Sequence, residues 1–302
     1  MSTNQNTLNE IATTLGKGRK EISMARLIVM RFLRHRLAVI ALGIFVLIAL
    51  SAIFAGTFAP YNPNKIDPTA FDEGPSAAHL LGTDQVGRDV LSRLIYGGQV
   101  SLSVGVVAVA IFMLIGVTLG AVTGYYGGWV DMLISRATDI ILSFPSLMLI
   151  LVLVSVLGPG LQNIMLVLGL LGWPQISRIV RAEFMRLRVQ EFITAAQVVG
   201  VPTRRIILHH VMPNIMGPVL VGATFGVASS ILSESGLSFL GLGVQPPSAS
   251  WGQMLNAAQS LTILEQKPWL WIPPGAMILI SVLCINFIGD GLRDALDPRL
   301  RR

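Results

Sequence analysis

Residues 178–213 read RIVRAEFMRLRVQEFITAAQVVGVPTRRIILHHVMP, a basic stretch between two apolar blocks. At its centre stands Thr194-Ala195-Ala196-Gln197-Val198-Val199-Gly200, and Pro213 follows downstream in His210-Val211-Met212-Pro213. Arg178, Arg181, Arg186, Arg188, Arg204 and Arg205 make the stretch too charged to lie in lipid. Its apolar periodicity is too helical for a slack linker. Residues 175–199 suit one helix that extends the apolar block before them, and Gly200 suits the left-handed residue that ends it. Pro202 suits the first turn of a second helix over 203–211, with Pro213 closing that helix. The small Ala195 and Ala196 allow close approach by a partner or by the second helix, and Arg204 and Arg205 charge the tip. A structured hairpin at a membrane surface is what a membrane protein needs if another protein is to push on it. A self-contained loop is the plainer alternative.

Outward from this stretch, the acidic and basic residues leave five gaps: between Arg36 and Lys65, Arg93 and Asp131, Asp139 and Arg178, Arg205 and Glu234, and Lys267 and Asp290. Each gap holds about 20 apolar residues, the length of a helix that crosses the hydrocarbon core. The third is double, because Gly158-Pro159-Gly160 breaks it. The expectation is an all-α membrane protein with six transmembrane helices, near 37–58, 101–124, 139–157, 161–176, 214–234 and 269–289. Only 13% of the 302 residues are charged, against about 25% in soluble domains.

Lys and Arg then orient the chain. Of 22, 18 lie before the first span, after the second, between the fourth and fifth, or after the sixth. Lys65, Arg88, Arg93 and Lys267 lie on the other side. The positive-inside rule places both termini and the 177–213 loop in the cytoplasm, as an even number of spans requires. The net charge of +6 is therefore a membrane signature and implies lipid, not nucleic acid, as the neighbour. Residues 37–58 are too long for a cleaved signal's apolar region and are expected to stay as an anchor.

Residues 1–24 read as a disordered cytoplasmic tail, and 25–60 as an interfacial helix leading into the first span. Residues 61–100 form an extracytoplasmic segment, a proline-rich loop followed by a short helix near 86–96. Thr83 or Asp84 is placed to cap that helix, and Asp89 and Arg93 are spaced to pair along it as a solvated ion pair. The membrane core runs over 101–290, with a second outside loop at 241–267 and a short helix near 254–261. Trp269 and Trp271 suit the outer headgroup layer, and Pro273-Pro274 favour a kink or a late helix start. Residues 291–302 read as a cytoplasmic tail, where Asp290, Arg293 and Asp297 are spaced to pair.

The motifs exclude most chemistry. There is no GxxxxGK[ST], HExxH or CxxC. The adjacent His209 and His210 diverge on a helix and make a poor metal pair. No catalytic residue, metal or cofactor is expected. Cys284, the only cysteine, is expected to be a small packed residue. Gly116, Gly120 and Gly124 make a smooth stripe for helix packing. Glu234 ends a long apolar run, and two readings stand open: a structural residue near the outer boundary, or a group on the pathway or gate. Asp139 is expected at the cytoplasmic start of a span, beside its N-terminal dipole.

The hairpin resembles the E-A-A-x₃-G-x₉-I-x-L-P loop of ABC importer permeases. Ala195, Ala196, Gly200 and Pro213 match it, while Thr194, His210 and Met212 replace its glutamate, isoleucine and leucine. Residues 81–93, LGTDQVGRDVLSR, are similar to a signature of the dipeptide/oligopeptide/nickel permeases. So are LSFLGLG at 237–243, Gln245-Pro246-Pro247, Trp251-Gly252 and GDGLRDALDP at 289–298. The resemblance, most of all to the C-type dipeptide permease subunit, implies a type I ABC importer permease fold in a bacterial inner membrane. It implies a homologous second permease, two ATP-binding ATPase subunits and an extracytoplasmic solute-binding protein. It places ATPase coupling on Thr194, Ala195, Ala196, Gly200, Val201, Arg204, Arg205 and Pro213. The cargo implied is a dipeptide or short oligopeptide, with nickel chelate or glutathione as alternatives on the same fold. An ion-coupled secondary transporter is a further class, which would want inverted repeats and broken helices at mid-depth.

Overall fold

The charge-free stretches become long helices. The computed structural model describes residues 24–296, so most of the 1–24 tail and the pairing of Arg293 with Asp297 lie outside the described residues. The first helix, α1 (Met24–Arg34), meets α2 (Arg36–Ile53) at His35, whose Nδ1 accepts from the Ala38 amide at 3.1 Å and caps α2. After the turn-rich 60–89 segment come α3 (Val90–Tyr126), α4 (Gly128–Ser143), α5 (Ser146–Leu157) and α6 (Leu161–Arg188). Next are α7 (Glu191–Val198), α8 (Met212–Phe239), α9 (Trp251–Leu255), α10 (Leu261–Gln266) and α11 (Pro268–Leu296). Among the described residues the only β pairings are the isolated bridges Ile66–Arg88 and Thr83–Asp89.

Five helices are long and apolar enough to cross a membrane, and the pair α4–α5, bent by 89°, makes a sixth if counted as one span. That bend corrects the expectation of one helix over 139–157. Pro145 has no N–H and disfavours helical backbone at Phe144, which is extended with ψ 143°. Asp139 therefore lies inside α4 rather than at a helix start, and Asp131 occupies the first turn of α4. The break at 158–160 is present, with Gly158 at φ +86°.

A second correction concerns 86–100. No separate surface helix forms; α3 runs 37 residues from Val90 without a break at Gly97-Gly98. Both glycines let the Trp251 ring lie against the helix, because a Cβ on Gly98 would stand 3.1 Å from that ring. The cap is Asp89, not Thr83 or Asp84: its carboxyl accepts from the amide and the hydroxyl of Ser92, each at 2.7 Å. At about 1.5 Å per residue, α3 reaches about 55 Å, well past a hydrocarbon core of about 30 Å.

The bundle centres on α3 against α6, with α8 against α11 and α11 against α2 beside it. Gly116, Gly120 and Gly124 face α6. A Cβ on Gly120 would stand 2.6 Å from the Ser177 carbonyl, and one on Gly124 2.5 Å from the Phe184 Cβ. The α6 helix is longer than the 161–176 span expected, and Pro174 lies inside it. Pro273 and Pro274 lie inside α11, which starts at Pro268, and Cys284 is buried there. No Asp290–Arg293 ion pair forms among the described residues; Asp294 instead lies 3.7 Å from His35 Nε2.

Candidate functional site

The hairpin after α6 is shorter and firmer than expected. The chain breaks at Val189-Gln190 instead of running helical to Val199, and the turn there drops Ile193 into the core. Arg188 Nη1 donates to the Tyr125 carbonyl at 2.9 Å, tying the break to the end of α3. Ile193, Ile206, Val211 and Ile215 then form one apolar cluster with Phe184 and Leu187 of α6.

At the tip, Gly200 has φ +82°. Its amide donates to the Gln197 carbonyl at 3.0 Å, and the Val201 amide to the Ala196 carbonyl at 3.0 Å. This is a Schellman closure, with Val201 and Ala196 packed on the same cluster beneath it. The two alanines thus divide: Ala196 faces inward and Ala195 outward. Val198 and Val199 are 83% and 82% exposed, and Arg204 and Arg205 stand exposed beside them. Thr194 is exposed and back-bonds to the Gln190 carbonyl at 3.3 Å.

Pro213 does not end the second helix. A one-turn helix (Thr203–Arg205) passes into a π-helical turn (Ile206–Val211) that leads directly into α8. The wide turn takes up the proline ring, which in a regular helix would press on the His209 carbonyl. The hairpin is therefore the continuous end of a membrane helix.

At the opposite end of α8, Glu234 is wholly buried. Ser101 Oγ donates to its Oε2 at 3.1 Å and Ser238 Oγ to its Oε1 at 2.7 Å. Each serine accepts a backbone amide in turn: Trp251 N–H on Ser101 at 3.2 Å, and Val244 N–H on Ser238 at 3.1 Å. One carboxyl thus ties α3, α8 and the 241–251 loop together. Water at an outer boundary does not solvate it; protein hydroxyls do.

Above it lies a second polar knot that the sequence reading missed. Asp89 and Arg93, expected as a solvated pair, are both buried and bond elsewhere. Asp89 Oδ1 is 2.9 Å from His79 Nδ1. Arg93 donates to Gln253 Oε1 at 3.0 Å and to the Pro63 and Pro247 carbonyls. Thr69 donates from both its amide and its hydroxyl to Asp67, holding that carboxyl below its ordinary range, 3.7 Å from His79 Nε2. The Trp251 indole donates to the Leu94 carbonyl at 3.0 Å. The LGTDQVGRDVLSR residues thus lock the 60–89 segment and the 241–267 loop onto α3. At the hairpin end, Arg181 holds Asp131 with two bonds of 2.5 and 2.7 Å, and Arg178 holds Asp139 at 2.5 Å, pinning α4 to α6.

Residues 116–302 match the family described as the binding-protein-dependent transport system inner membrane component, and residues 23–77 match the N-terminal TM domain of oligopeptide transport permease C. The chain belongs to this family of inner-membrane permeases. The permease is 44% identical, over 89% of its length and 88% of the relative's, to the dipeptide transport system permease protein DppC of Alkalihalophilus pseudofirmus. It is 39% identical, over 90% of each chain, to the glutathione transport system permease protein GsiD of Pectobacterium atrosepticum. A chain of the MetNI methionine ABC transporter, solved in inward-facing conformations, shares the type I permease fold. The two superpose with a TM-score of 0.55 at 19% identity, over 68% of this permease and 96% of that chain. The family excludes the ion-coupled secondary transporter. No local signal in the permease sequence marked Asp89 and Arg93 as buried, because Arg93 meets Pro247 and Gln253 only across 154 and 160 positions.

Proposed function

We propose that this permease is one of two homologous membrane subunits of an ATP-driven importer for dipeptides or short oligopeptides. An extracytoplasmic binding protein delivers the cargo, and two cytoplasmic ATPase subunits supply the energy. Both termini and the 189–211 hairpin face the cytoplasm, in line with the Lys and Arg distribution. The carrying observation is the hairpin. Its inner face is packed into the bundle core, while its outer face offers Ala195, Val198, Val199, Arg204 and Arg205. A knob so joined to α8 transmits a push as rigid-body motion of the bundle, where a slack loop would absorb it. The 44% identical relative named for dipeptides supports the cargo.

Glutathione, itself a tripeptide, is the second reading, favoured by the relative named for it. Mass spectrometry of the ligand retained by the associated binding protein separates the two. A strain lacking this permease should then lose uptake of the labelled ligand so found. Unchanged uptake in that strain overturns the assignment.

A further inference from the structure

Midway along the long helices, a cavity of about 400 Å³ opens between the α4–α5 bend, α6 and α8. Gln175, Ser229, Ser230 and Ser233 line it beside Phe112 and Phe225, and no charged residue does. Elsewhere in these helices several hydroxyls fold back onto their own backbone, Thr118 onto Leu114 at 2.6 Å, Thr138 onto Ile134 at 2.9 Å and Ser155 onto Leu151 at 2.7 Å, while Ser281 Oγ is buried without a partner away from the cavity. The side chains of Ser229, Ser230, Ser233 and Gln175 make no hydrogen bond among the described residues. Ser230 is only 6% exposed, and Gln175 sits one residue after Pro174 in the middle of α6. Unspent polar capacity at this depth is costly unless something fills it.

A hydroxyl and a carboxamide each donate and accept. They match the N–H and C=O groups that every peptide bond carries, whatever its side chains. A neutral lining holds no counter-ion to trap a charged side chain and no like charge to repel it, and water in the cavity must carry that side chain's solvation. We propose that Gln175, Ser229, Ser230 and Ser233 form a charge-free, hydrated rail that hydrogen-bonds the backbone of the peptide in transit. The assignment rests on the peptide-importer reading above.

The test uses the assembled transporter in proteoliposomes, with its binding protein and ATPases. Cys284, the chain's only cysteine, is buried, so introduced thiols report cleanly. Ser229→Cys and Ser233→Cys should react with a membrane-impermeant thiol reagent about tenfold faster than Leu279→Cys on the apolar face of α11. Equal, slow reaction at all three would show the cavity covered by lipid or a partner and overturns the rail. In transport, the triple variant Gln175→Leu/Ser229→Ala/Ser233→Ala should carry alanyl-alanine about tenfold more slowly, with affinity at the binding protein unchanged. Gln175→Leu/Ser229→Ala/Ser233→Thr, which keeps one hydroxyl, should lose less than the triple variant. Alanyl-N-methylalanine, lacking the amide N–H, should lose less than alanyl-alanine between parent and triple variant. An unimpaired triple variant, or equal losses for both cargoes, overturns the rail alone. A parent complex that moves neither dipeptide overturns the peptide reading and the rail with it.

Discussion

Gly200 holds φ +82° at a position where a Cβ would meet nothing within 4 Å. The requirement for glycine is therefore one of backbone strain, not of space within the chain. A left-handed residue other than glycine costs about 1–2 kcal/mol, more when β-branched and less for asparagine. Gly200→Val should abolish uptake while the protein persists in the membrane, and Gly200→Asn should keep most of it; the check is transport set against membrane abundance by immunoblot. Normal uptake by the valine variant would count against coupling through this turn. Glu234 makes the opposite case, since its environment is wholly protein. Glu234→Leu removes the acceptor for Ser101 and Ser238 and should destabilise the permease by about 1–3 kcal/mol, with Glu234→Gln milder because it keeps one acceptor. Thermal unfolding in detergent checks the order. We read the residue as the anchor of the outer loop.

Helix pairing is set by small residues where backbones touch. Gly120 brings α3 against the Ser177 carbonyl and Val180, so Gly120→Leu should part α3 from α6 at a cost of about 1–3 kcal/mol. Gly43→Leu, where nothing lies within 4 Å, should leave the unfolding midpoint unchanged. The α4 helix is held differently. Thr138 is its only buried residue, and its ion-pair ties to α6 are the half-exposed Asp139–Arg178 contact and the better shielded, two-bond Asp131–Arg181 pair. An element with so little apolar burial, bent at Phe144-Pro145 and bordering the polar cavity, is the one most easily moved.

For the whole molecule, the chain carries no phosphate-binding loop, so the purified permease alone should hydrolyse no ATP. Hydrolysis that co-purifies with this chain after all ATPase subunits are removed would sink that expectation. The spans were legible in the sequence because lipid imposes a local, one-dimensional rule: about 20 residues without charge. The left-handed end at Gly200 and the packing stripe at Gly116, Gly120 and Gly124 were legible for a similar reason, since one turn and one helical period are short-range properties. The bend at Pro145 was also written locally and was passed over, because the apolar run around it masked the lost N–H. The buried knots were not legible. Ser101 meets Glu234 across 133 positions and Arg93 meets Gln253 across 160, so whether a carboxyl or guanidinium faces water or a partner depends on which helices become neighbours. Sequence alone marked the segments apolar enough to cross lipid, through solvation of single segments. Tertiary structure settled which polar groups are spent on the fold and which are left free to face the cavity, because hydrogen-bond satisfaction belongs to pairs of groups that only packing brings together.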